Sequence, residues 1–244
     1  MTVALVTGSN RGLGYATARA LAQAGNCVLL TARDRERAEH AAAALRAEGL
    51  DVQALQLDVT SAESIAAAAE HVRQHQRRLD VLVNNAGILP EATNSTPRQF
   101  ANPDVFAQTY AVNVLGAVAV TEAFLPLLRD SPMARIVNVS TTMGSLTDQA
   151  DPASPYYRMI VPAYQSPKAA LNSITISLAK SLADTDIKVT SVCPGFVQTD
   201  LTPINRHQAP LSAEQAARTI LTAATLPADA RTGTFVDANG TVAW

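Results

Sequence analysis

A glycine-rich loop near the beginning of the sequence has the composition of a phosphate-binding turn. It reads TGSNRGLG, residues 7–14, and it follows the apolar run VALV. Glycines allow a backbone to turn tightly and to approach a pyrophosphate, and a helix that begins at Gly12 would offer the anion its unpaired N–H groups. The spacing of Gly8, Gly12 and Gly14 matches neither G-x-G-x-x-G nor a P-loop, so an ordinary turn between a strand and a helix remains the alternative.

Arginine residues in and after this loop indicate which dinucleotide it would take. A site for NAD usually places a carboxylate at the end of the second strand, on the ribose 2′-hydroxyl. Here that strand ends LLTAR, so Ala32 and Arg33 occupy the position. A guanidinium suits a 2′-phosphate, and Arg11 could reach the same group. Asp34 is the competing carboxylate, one residue further on. We therefore predict NADPH or NADP as the cofactor.

Tyr164 and Lys168 have the types and the spacing needed for proton transfer. They lie four residues apart at the predicted start of a helix and so share one face. A phenol titrates at about pH 10, and a neighbouring cation lowers its pKa. Pro167 is tolerated only in a first helical turn, which predicts that the helix begins close to Ala163. On spacing alone, an accidental surface pair is the better interpretation.

Strands of buried type alternate with helices along the whole chain. Strands are predicted at 3–6, 27–31, 52–57, 79–87, 134–140, 187–195 and 233–237, and helices at 12–24, 35–47, 62–76, 103–128, 163–183 and 213–224. This alternation predicts an α/β fold, a single domain over residues 1–244 with a doubly wound parallel sheet of Rossmann type and helices on both faces. Irregular segments at 87–102, 142–162 and 196–211 each follow a strand end, where open α/β sheets bind ligands.

Six short motifs occur in one order along the chain. After TGSNRGLG come LDV (57–59), NNAG (84–87), VNVLG (112–116), YQSPK (164–168) and CPGFVQT (193–199). Each is weak alone, but together they resemble the short-chain dehydrogenase/reductase family, whose own loop is T-G-x-x-x-G-x-G. TGSNRG together with TARD most resembles the carbonyl-reductase-like members that prefer NADPH.

The resemblance implies cofactor contacts from several parts of the chain. In the family, the LDV segment lies against the adenine, NNAG flanks the cofactor, and the Pro-Gly segment holds the nicotinamide carboxamide. The implied cofactor-binding residues are Gly8, Asn10, Arg11, Gly12, Leu13, Gly14, Arg33, Asp58, Val59, Asn85, Ala86, Gly87, Tyr164, Lys168, Pro194, Gly195, Val197 and Thr199.

The resemblance also implies the catalytic groups of a reductase. Tyr164 would protonate a ketone or aldehyde oxygen as hydride arrives from NADPH, while Lys168 lowers the pKa of Tyr164 and holds the nicotinamide ribose. Asn113 would anchor a water that links the lysine to solvent. The family's active-site serine falls within STT, at Thr141, with Ser140 as the alternative. A threonine hydroxyl can donate the same hydrogen bond.

Two other functions remain open at this stage. One is a non-catalytic sensor or regulator that binds NADP(H) on the same fold, and the other is an alcohol dehydrogenase that works oxidatively. The segment between Thr141 and Tyr164 is longer than in most members. It either lines the substrate pocket, through Tyr156, Tyr157, Arg158 and Met159, or is a purely structural flap. Phe196, Val197 and Leu201 indicate an apolar pocket. The segment could cover a dimer face, which favours a monomer over a homodimer.

The composition of the chain indicates which other classes of partner are not expected. The chain has 244 residues and a net charge of −2, without the basic patch that nucleic acid requires. Its apolar runs look too short to span a bilayer, and it shows no leader pattern, so we expect no membrane partner and a cytoplasmic location. Cys27 and Cys193 are predicted to be buried strand residues. His71 and His75 are predicted to be a surface pair, and no metal site is expected.

Overall fold

The computed structural model describes residues 2–93 and 100–244, and residues 94–99 of the irregular segment predicted at 87–102 lie outside them. Its centre is one sheet in the order β3-β2-β1-β4-β5-β6-β7-β8. The strands are β1 (Val3–Val6), β2 (Cys27–Ala32), β3 (Val52–Gln56), β4 (Val81–Asn84), β5 (Arg135–Val139), β6 (Lys188–Val192), β7 (Thr234–Asp237) and β8 (Gly240–Thr241). All neighbouring pairs are parallel except β7 with β8.

Nine α-helices connect and flank these strands in the described part of the chain. They are α1 (Gly12–Gln23), α2 (Arg35–Ala47), α3 (Ala62–His75), α4 (Pro103–Tyr110), α5 (Ala117–Arg129), α6 (Leu146–Ala150), α7 (Pro162–Ser181), α8 (Pro203–Gln208) and α9 (Ala213–Ala224). Short 3₁₀ turns lie at Pro90–Thr93 and Thr142–Gly144, and a π-helical turn lies at Ala111–Gly116.

The sheet is covered on both faces, as the prediction of a doubly wound Rossmann-type fold requires, and that prediction is confirmed. On one face, Leu21 of α1, Leu45 of α2 and Ile220 of α9 pack in one apolar cluster. On the other face, Ile65 of α3 and Phe124 of α5 pack in a second cluster. Every residue of β1 and β2 is buried, which is why these strands are continuous apolar runs.

Most strand and helix boundaries fall within a few residues of the predicted ones. The predicted helix start close to Ala163 is confirmed, since α7 begins at Pro162, but the reason given for it was wrong, because Pro167 is the sixth residue of α7 and lies beyond the first turn. A proline there costs the helix only one N–H bond, the one to the carbonyl of Ala163. The predicted helix at 103–128 is confirmed as the helical stretch Pro103–Arg129, within which the π-helical turn Ala111–Gly116 separates α4 from α5.

The continuous helical stretch Pro103–Arg129 also corrects the expectation that no apolar run could span a bilayer. Its length and hydropathy are sufficient for a membrane span, and half of its most apolar window is buried inside the fold. Phe124 within it is fully buried. A core helix that packs against a sheet has these properties too, because its buried face is apolar.

Both cysteines are free and buried, as predicted, although Cys193 follows β6 rather than lying in it. The rings of His71 and His75 stack with their centroids 4.2 Å apart on α3. Within residues 2–93 and 100–244, no group of three or more His, Cys, Asp and Glu side chains lies close enough to hold a metal ion.

Candidate active site

The glycine loop between β1 and α1 has a backbone that only glycine adopts easily. Gly8 and Gly12 have φ angles of 61° and 56°, in the left-handed region. At Gly14, an added Cβ would lie 2.5 Å from the carbonyl oxygen of Gly8 and would also strike the side chain of Asn85. The loop is therefore packed so closely that each of the three glycines is required by the backbone.

Thr7 and Asn85 fasten this loop to the turn after β4. The hydroxyl oxygen of Thr7 accepts hydrogen bonds from the backbone N–H groups of Asn85 and Ala86, both at 2.9 Å. The Asn85 amide donates to the carbonyl oxygens of Thr7 (2.8 Å) and Gly8 (3.1 Å). Thr7 was not among the predicted site residues. Its position directly before Gly8 in the loop motif could have identified it as one.

The N-terminus of α1 is open to an anion. Arg11 is its N-cap residue and makes no capping bond through its side chain, and the first turn contains no acidic residue. The unpaired N–H groups and the positive end of the helix dipole therefore face the loop. Thr199, from the segment after β6, approaches Gly12 so closely that an added Cβ would lie 3.5 Å from its side chain. Asn10 is half-buried beside them, and Leu13 packs against the core.

The two arginines predicted to select the cofactor differ in their surroundings. Arg33 is exposed directly after β2, whereas Arg11 lies 3.7 Å from the carboxylate of Asp200. Asp200 also pairs with Arg206 of α8. The carboxylate of Asp34 caps α2 by accepting a hydrogen bond from the N–H of Arg37 at 2.9 Å. Asp34 is thereby committed to the helix, which leaves Arg33 as the charged group at the strand end.

The segment after β3 is held by internal hydrogen bonds. Asp58 accepts bonds from the N–H and the hydroxyl of Thr60, at 2.9 and 2.7 Å. Burial raises the pKa of Asp58, but these bonds and the charge of Arg33 outweigh burial and leave the pKa below its usual value. Val59 packs against Gly116, where an added Cβ would lie 2.9 Å from the Val59 carbonyl oxygen.

Tyr164 and Lys168 lie together in the first turns of α7, and both are buried, at 8% and 4% exposure. The Lys168 ammonium lies 5.8 Å from the centre of the Tyr164 ring and donates a 2.7 Å hydrogen bond to the carbonyl of Val139. They are not the accidental surface pair that spacing alone favoured.

Burial sets the pKa values of this pair in the ligand-free protein. It raises the pKa of Tyr164, with a smaller contribution from Cys193, and it lowers the pKa of Lys168 to about 8. The lowered tyrosine pKa that was expected beside Lys168 is therefore not found in the free protein, where burial is the largest cause and raises the pKa.

Asn113 is buried in the π-helical turn Ala111–Gly116. Its amide donates to the carbonyl of Ile88 at 3.0 Å, and its oxygen accepts from the N–H of Ile88 at 2.9 Å. Gly87 lies beside this pair. The Asn113 side chain thus holds the loop after β4, and a π-helical turn is the kind of local irregularity that frequently marks a functional site.

Ser140 and Thr141 follow β5 and have different surroundings. The Ser140 hydroxyl is buried and donates a 2.7 Å hydrogen bond to Asn172 of α7. The Thr141 side chain is half-buried, and its hydroxyl oxygen accepts a bond from the N–H of Met143 at 3.3 Å. The proton of the Thr141 hydroxyl is therefore free for a further acceptor, whereas that of Ser140 is engaged.

The Pro194–Gly195 segment turns sharply after β6. Gly195 has a φ angle of 86°, and an added Cβ would strike Leu211 at 2.7 Å. Val197 is buried and forms an isolated bridge with Leu211. Pro194, Gly195, Val197 and Thr199 thus follow the carboxyl end of β6, on the same edge of the sheet as the glycine loop.

Comparison with known proteins identifies this arrangement. The family model described as short chain dehydrogenase matches residues 2–209. The chain belongs to the short-chain dehydrogenase family. It is 38% identical over 228 residues to Short-chain dehydrogenase anuI of Penicillium roqueforti, covering 91% of this chain and 87% of that protein. It is 33% identical over 275 residues to (+)-neomenthol dehydrogenase of Arabidopsis thaliana, covering 92% and 91%.

The fold of this short-chain dehydrogenase is also close to that of a solved relative. The crystal structure of NADPH-bound carbonyl reductase from chicken fatty liver matches with a TM-score of 0.84 and 26% identity, covering 100% of this chain and 98% of that one. The predicted family is therefore confirmed, and a nicotinamide dinucleotide is its cofactor. The residues present fit this group, because α1 offers an open N-terminus and the loop before it has glycine at positions 8, 12 and 14, where a backbone can approach a pyrophosphate closely.

Part of the long segment before Tyr164 lines a cavity at the start of α7. Tyr156 and Met159 line this cavity of about 260 Å³ together with Gln165 and Ser166. The choice between a lining of the substrate pocket and a structural flap stays a prediction. Tyr157 and Arg158 are exposed. Phe196 and Leu201 are also exposed, at 42% and 36%, so of the three residues expected to form an apolar pocket only Val197 is buried.

Proposed function

We propose that this short-chain dehydrogenase reduces a ketone or an aldehyde with NADPH, and that Tyr164 is the proton donor. One observation carries the proposal: Tyr164 and Lys168 are buried side by side, with the ammonium 5.8 Å from the centre of the phenol ring. Loss of Tyr164 or Lys168 would have favoured a non-catalytic binding protein, and both residues are present.

The protonation states suit a reduction. The raised pKa of Tyr164 keeps its hydroxyl protonated at neutral pH, and Lys168, with a pKa of about 8, is predominantly charged at pH 7. When bound, the dinucleotide supplies the hydride to the carbonyl carbon. The Tyr164 hydroxyl gives its proton to the carbonyl oxygen, the product is an alcohol, and the ammonium of Lys168 stabilises the tyrosinate that remains.

Thr141 is proposed to orient the carbonyl oxygen by donating a hydrogen bond to it. Ser140 has no free proton for this role, since its hydroxyl already donates to Asn172. We expect Thr141→Ala to lower kcat by about 10²-fold, the order of magnitude for loss of one such donor. We expect Ser140→Ala to change kcat by less than about fivefold. Loss of turnover in Ser140→Ala alone would reverse the assignment.

The preference for NADPH rests on Arg33, with Arg11 in a secondary role. Arg33 is exposed at the strand end, and Asp34 is committed to capping α2. A free guanidinium beside a carboxylate whose Oδ1 already accepts the N–H of Arg37 suits a 2′-phosphate. The NADPH bound to the carbonyl reductase from chicken fatty liver supports this choice.

The deciding experiment follows NADPH oxidation by absorbance across a panel of ketones and aldehydes, with Tyr164→Phe as the control. We expect turnover by the wild type and its loss in Tyr164→Phe. NADPH binding without turnover of any carbonyl would favour the sensor instead.

A second candidate is oxidation of an alcohol, favoured by the similarity to (+)-neomenthol dehydrogenase. The same panel run with NADP and the corresponding alcohols separates the two directions. A much higher kcat/KM for the alcohols at neutral pH would favour oxidation. In either direction the substrate is a small molecule, and a cytoplasmic monomer remains our expectation, with a homodimer as the alternative.

A further inference from the structure

The residues that follow β8 bring Trp244 against β7. The N–H of Val242 donates a 2.8 Å hydrogen bond to the carbonyl of Phe235, which continues the antiparallel pairing of β7 with β8. The rings of Phe235 and Trp244 stack with their centroids 5.6 Å apart and their planes 26° from parallel. Phe235 is fully buried. Its ring therefore gives the indole of Trp244 a fixed surface on which to rest.

Trp244 is also bonded to α6, which belongs to the long segment before Tyr164. The main-chain oxygen of Trp244 accepts two hydrogen bonds from Thr147, one from the N–H at 2.9 Å and one from the hydroxyl at 2.7 Å. A helix of five residues, such as α6, has little stability of its own. These two bonds therefore fasten α6 to a residue that lies 97 positions further along the chain.

The helix α6 is bonded in turn to the 3₁₀ turn Thr142–Gly144. The side-chain amide of Gln149 donates a 3.0 Å hydrogen bond to the carbonyl of Met143. Thr141 is the N-cap residue of this turn, and its hydroxyl oxygen accepts the N–H of Met143. The position of the Thr141 side chain thus depends on the turn that α6 holds.

The same turn packs against α7 at Lys168. Gly144 is buried, and a Cβ added to it would lie 2.8 Å from the Cβ of Lys168. The contact is so close that the turn and the first half of α7 must move together. A continuous set of contacts therefore leads from Trp244 through α6 and the 3₁₀ turn to both Thr141 and Lys168.

We propose that Trp244 is a positioning residue for Thr141 and Lys168, because its stacked ring and its bonded main-chain oxygen hold α6 and, through α6, the 3₁₀ turn. The effect on turnover rests on the proposed function, whereas the contact itself does not. A small displacement of catalytic groups is enough to slow a reaction strongly, since the reacting atoms must be held near the geometry of attack.

The first measurement is amide hydrogen exchange of residues 142–149 in the ligand-free protein. Trp244→Ala removes the ring that rests on Phe235, so the bonds to Thr147 should open more often. We expect exchange to be faster by about fivefold or more in Trp244→Ala. Trp244→Phe keeps an aromatic ring for the stack and should restore exchange to within about twofold of the wild type.

The second measurement uses the fluorescence of Trp244, which is the only tryptophan of the chain. Thr147→Val removes one of the two hydrogen bonds to Trp244 and leaves the indole in place. We expect acrylamide to quench the fluorescence about twofold more strongly in this variant, because the loosened ring opens to solvent more often. Thr222→Val is the matched control. Thr222 is likewise an exposed helical threonine whose hydroxyl donates to a main-chain carbonyl, and its variant should be quenched like the wild type.

The third measurement is NADPH-dependent turnover of a carbonyl substrate. We expect kcat to fall about fivefold or more in Trp244→Ala while KM for NADPH stays within about twofold, because the glycine loop is not part of this set of contacts. Trp244→Phe should recover most of kcat, and Thr222→Val should match the wild type. A purely structural role would lower the amount of folded enzyme without this division between kcat and KM.

Three results would overturn the proposal: unchanged exchange at 142–149 in Trp244→Ala, unchanged quenching in Thr147→Val, or faster exchange with kcat unchanged. If the wild type reduces no carbonyl, the proposed function fails, and exchange and quenching alone still decide whether Trp244 holds α6. Should Trp244→Ala not fold, Thr147→Val tests the same contact from the side of α6, with faster exchange and lower kcat expected.

Discussion

Lys168 combines a charge with almost complete burial, and this makes the stability of the protein depend on pH. Its folded pKa of about 8 lies below its usual value because burial disfavours the charged form. The unfolded chain therefore binds more protons than the folded one from below pH 8 up to the ordinary lysine pKa, and the unfavourable contribution of Lys168 to stability decreases as the pH rises through this range.

We expect Lys168→Met to show this dependence directly. At pH 7 the variant should gain stability relative to the wild type, because it buries no charge. The gap in the free energy of unfolding should narrow by about 1 kcal/mol between pH 7 and pH 9. Denaturant unfolding of both proteins at the two pH values measures it. A gap that does not change with pH would mean that Lys168 keeps an ordinary pKa in the folded protein.

In the proposed function, Arg33 is the residue on which the preference for NADPH depends most. Arg33→Asp replaces an exposed guanidinium by a carboxylate at the place proposed for the 2′-phosphate. We expect KM for NADPH to rise by about tenfold or more, which corresponds to about 1.4 kcal/mol, while KM for NADH changes little or falls. Steady-state kinetics with both cofactors measure the effect.

Arg218→Asp is the matched control for Arg33→Asp, since Arg218 is exposed on α9. It should leave both KM values unchanged. If Arg33→Asp prefers NADPH as strongly as the wild type does, a cation other than Arg33 binds the 2′-phosphate.

At the scale of elements, the junction of the glycine loop with the turn after β4 leaves no room for a side chain. In Gly14→Ala the new methyl group would meet the carbonyl oxygen of Gly8 at 2.5 Å and the side chain of Asn85. Because the Asn85 amide is held by hydrogen bonds to the carbonyl oxygens of Thr7 and Gly8, the loop must shift. We expect the dissociation constant of NADPH, measured by fluorescence titration, to rise by about tenfold or more.

Gly25→Ala separates this effect from general destabilisation. Gly25 has a φ angle of 88°, and its added Cβ would meet nothing within 4 Å. The strain should cost about 1 kcal/mol of stability and leave NADPH binding unchanged. Equal losses of NADPH affinity in the two variants would contradict the steric explanation.

For the molecule as a whole, stability depends on the apolar layers between the sheet and its helices. Phe124 is fully buried in the layer that contains α3 and α5. We expect Phe124→Ala to lower the free energy of unfolding by about 3–5 kcal/mol, a large part of the total for a typical domain. Met133→Ala is the control, because Met133 is 55% exposed, and it should change stability by less than about 0.5 kcal/mol. Comparable losses of stability in the two variants would mean that Phe124 does not belong to the part of the core that stabilises the protein.

The sequence predicted the whole sheet except β8, because buried parallel strands are apolar runs that alternate with amphipathic helices. It did not predict α6, α8 or the 3₁₀ turns. Such short helices have little stability of their own and form only where tertiary contacts hold them. The π-helical turn around Asn113 has no distinctive sequence period. The raised pKa of Tyr164 was missed for a related reason, since burial depends on residues from several elements.

The contact between the glycine loop and the segment after β6 includes a charged pair that salt can weaken. Thr199 lies beside Gly12, and the guanidinium of Arg11 lies 3.7 Å from the carboxylate of Asp200, which also pairs with Arg206 within the segment. Both partners of the Arg11–Asp200 pair are exposed, so dissolved ions screen their attraction. The hold of the segment on the loop should therefore loosen as the ionic strength rises.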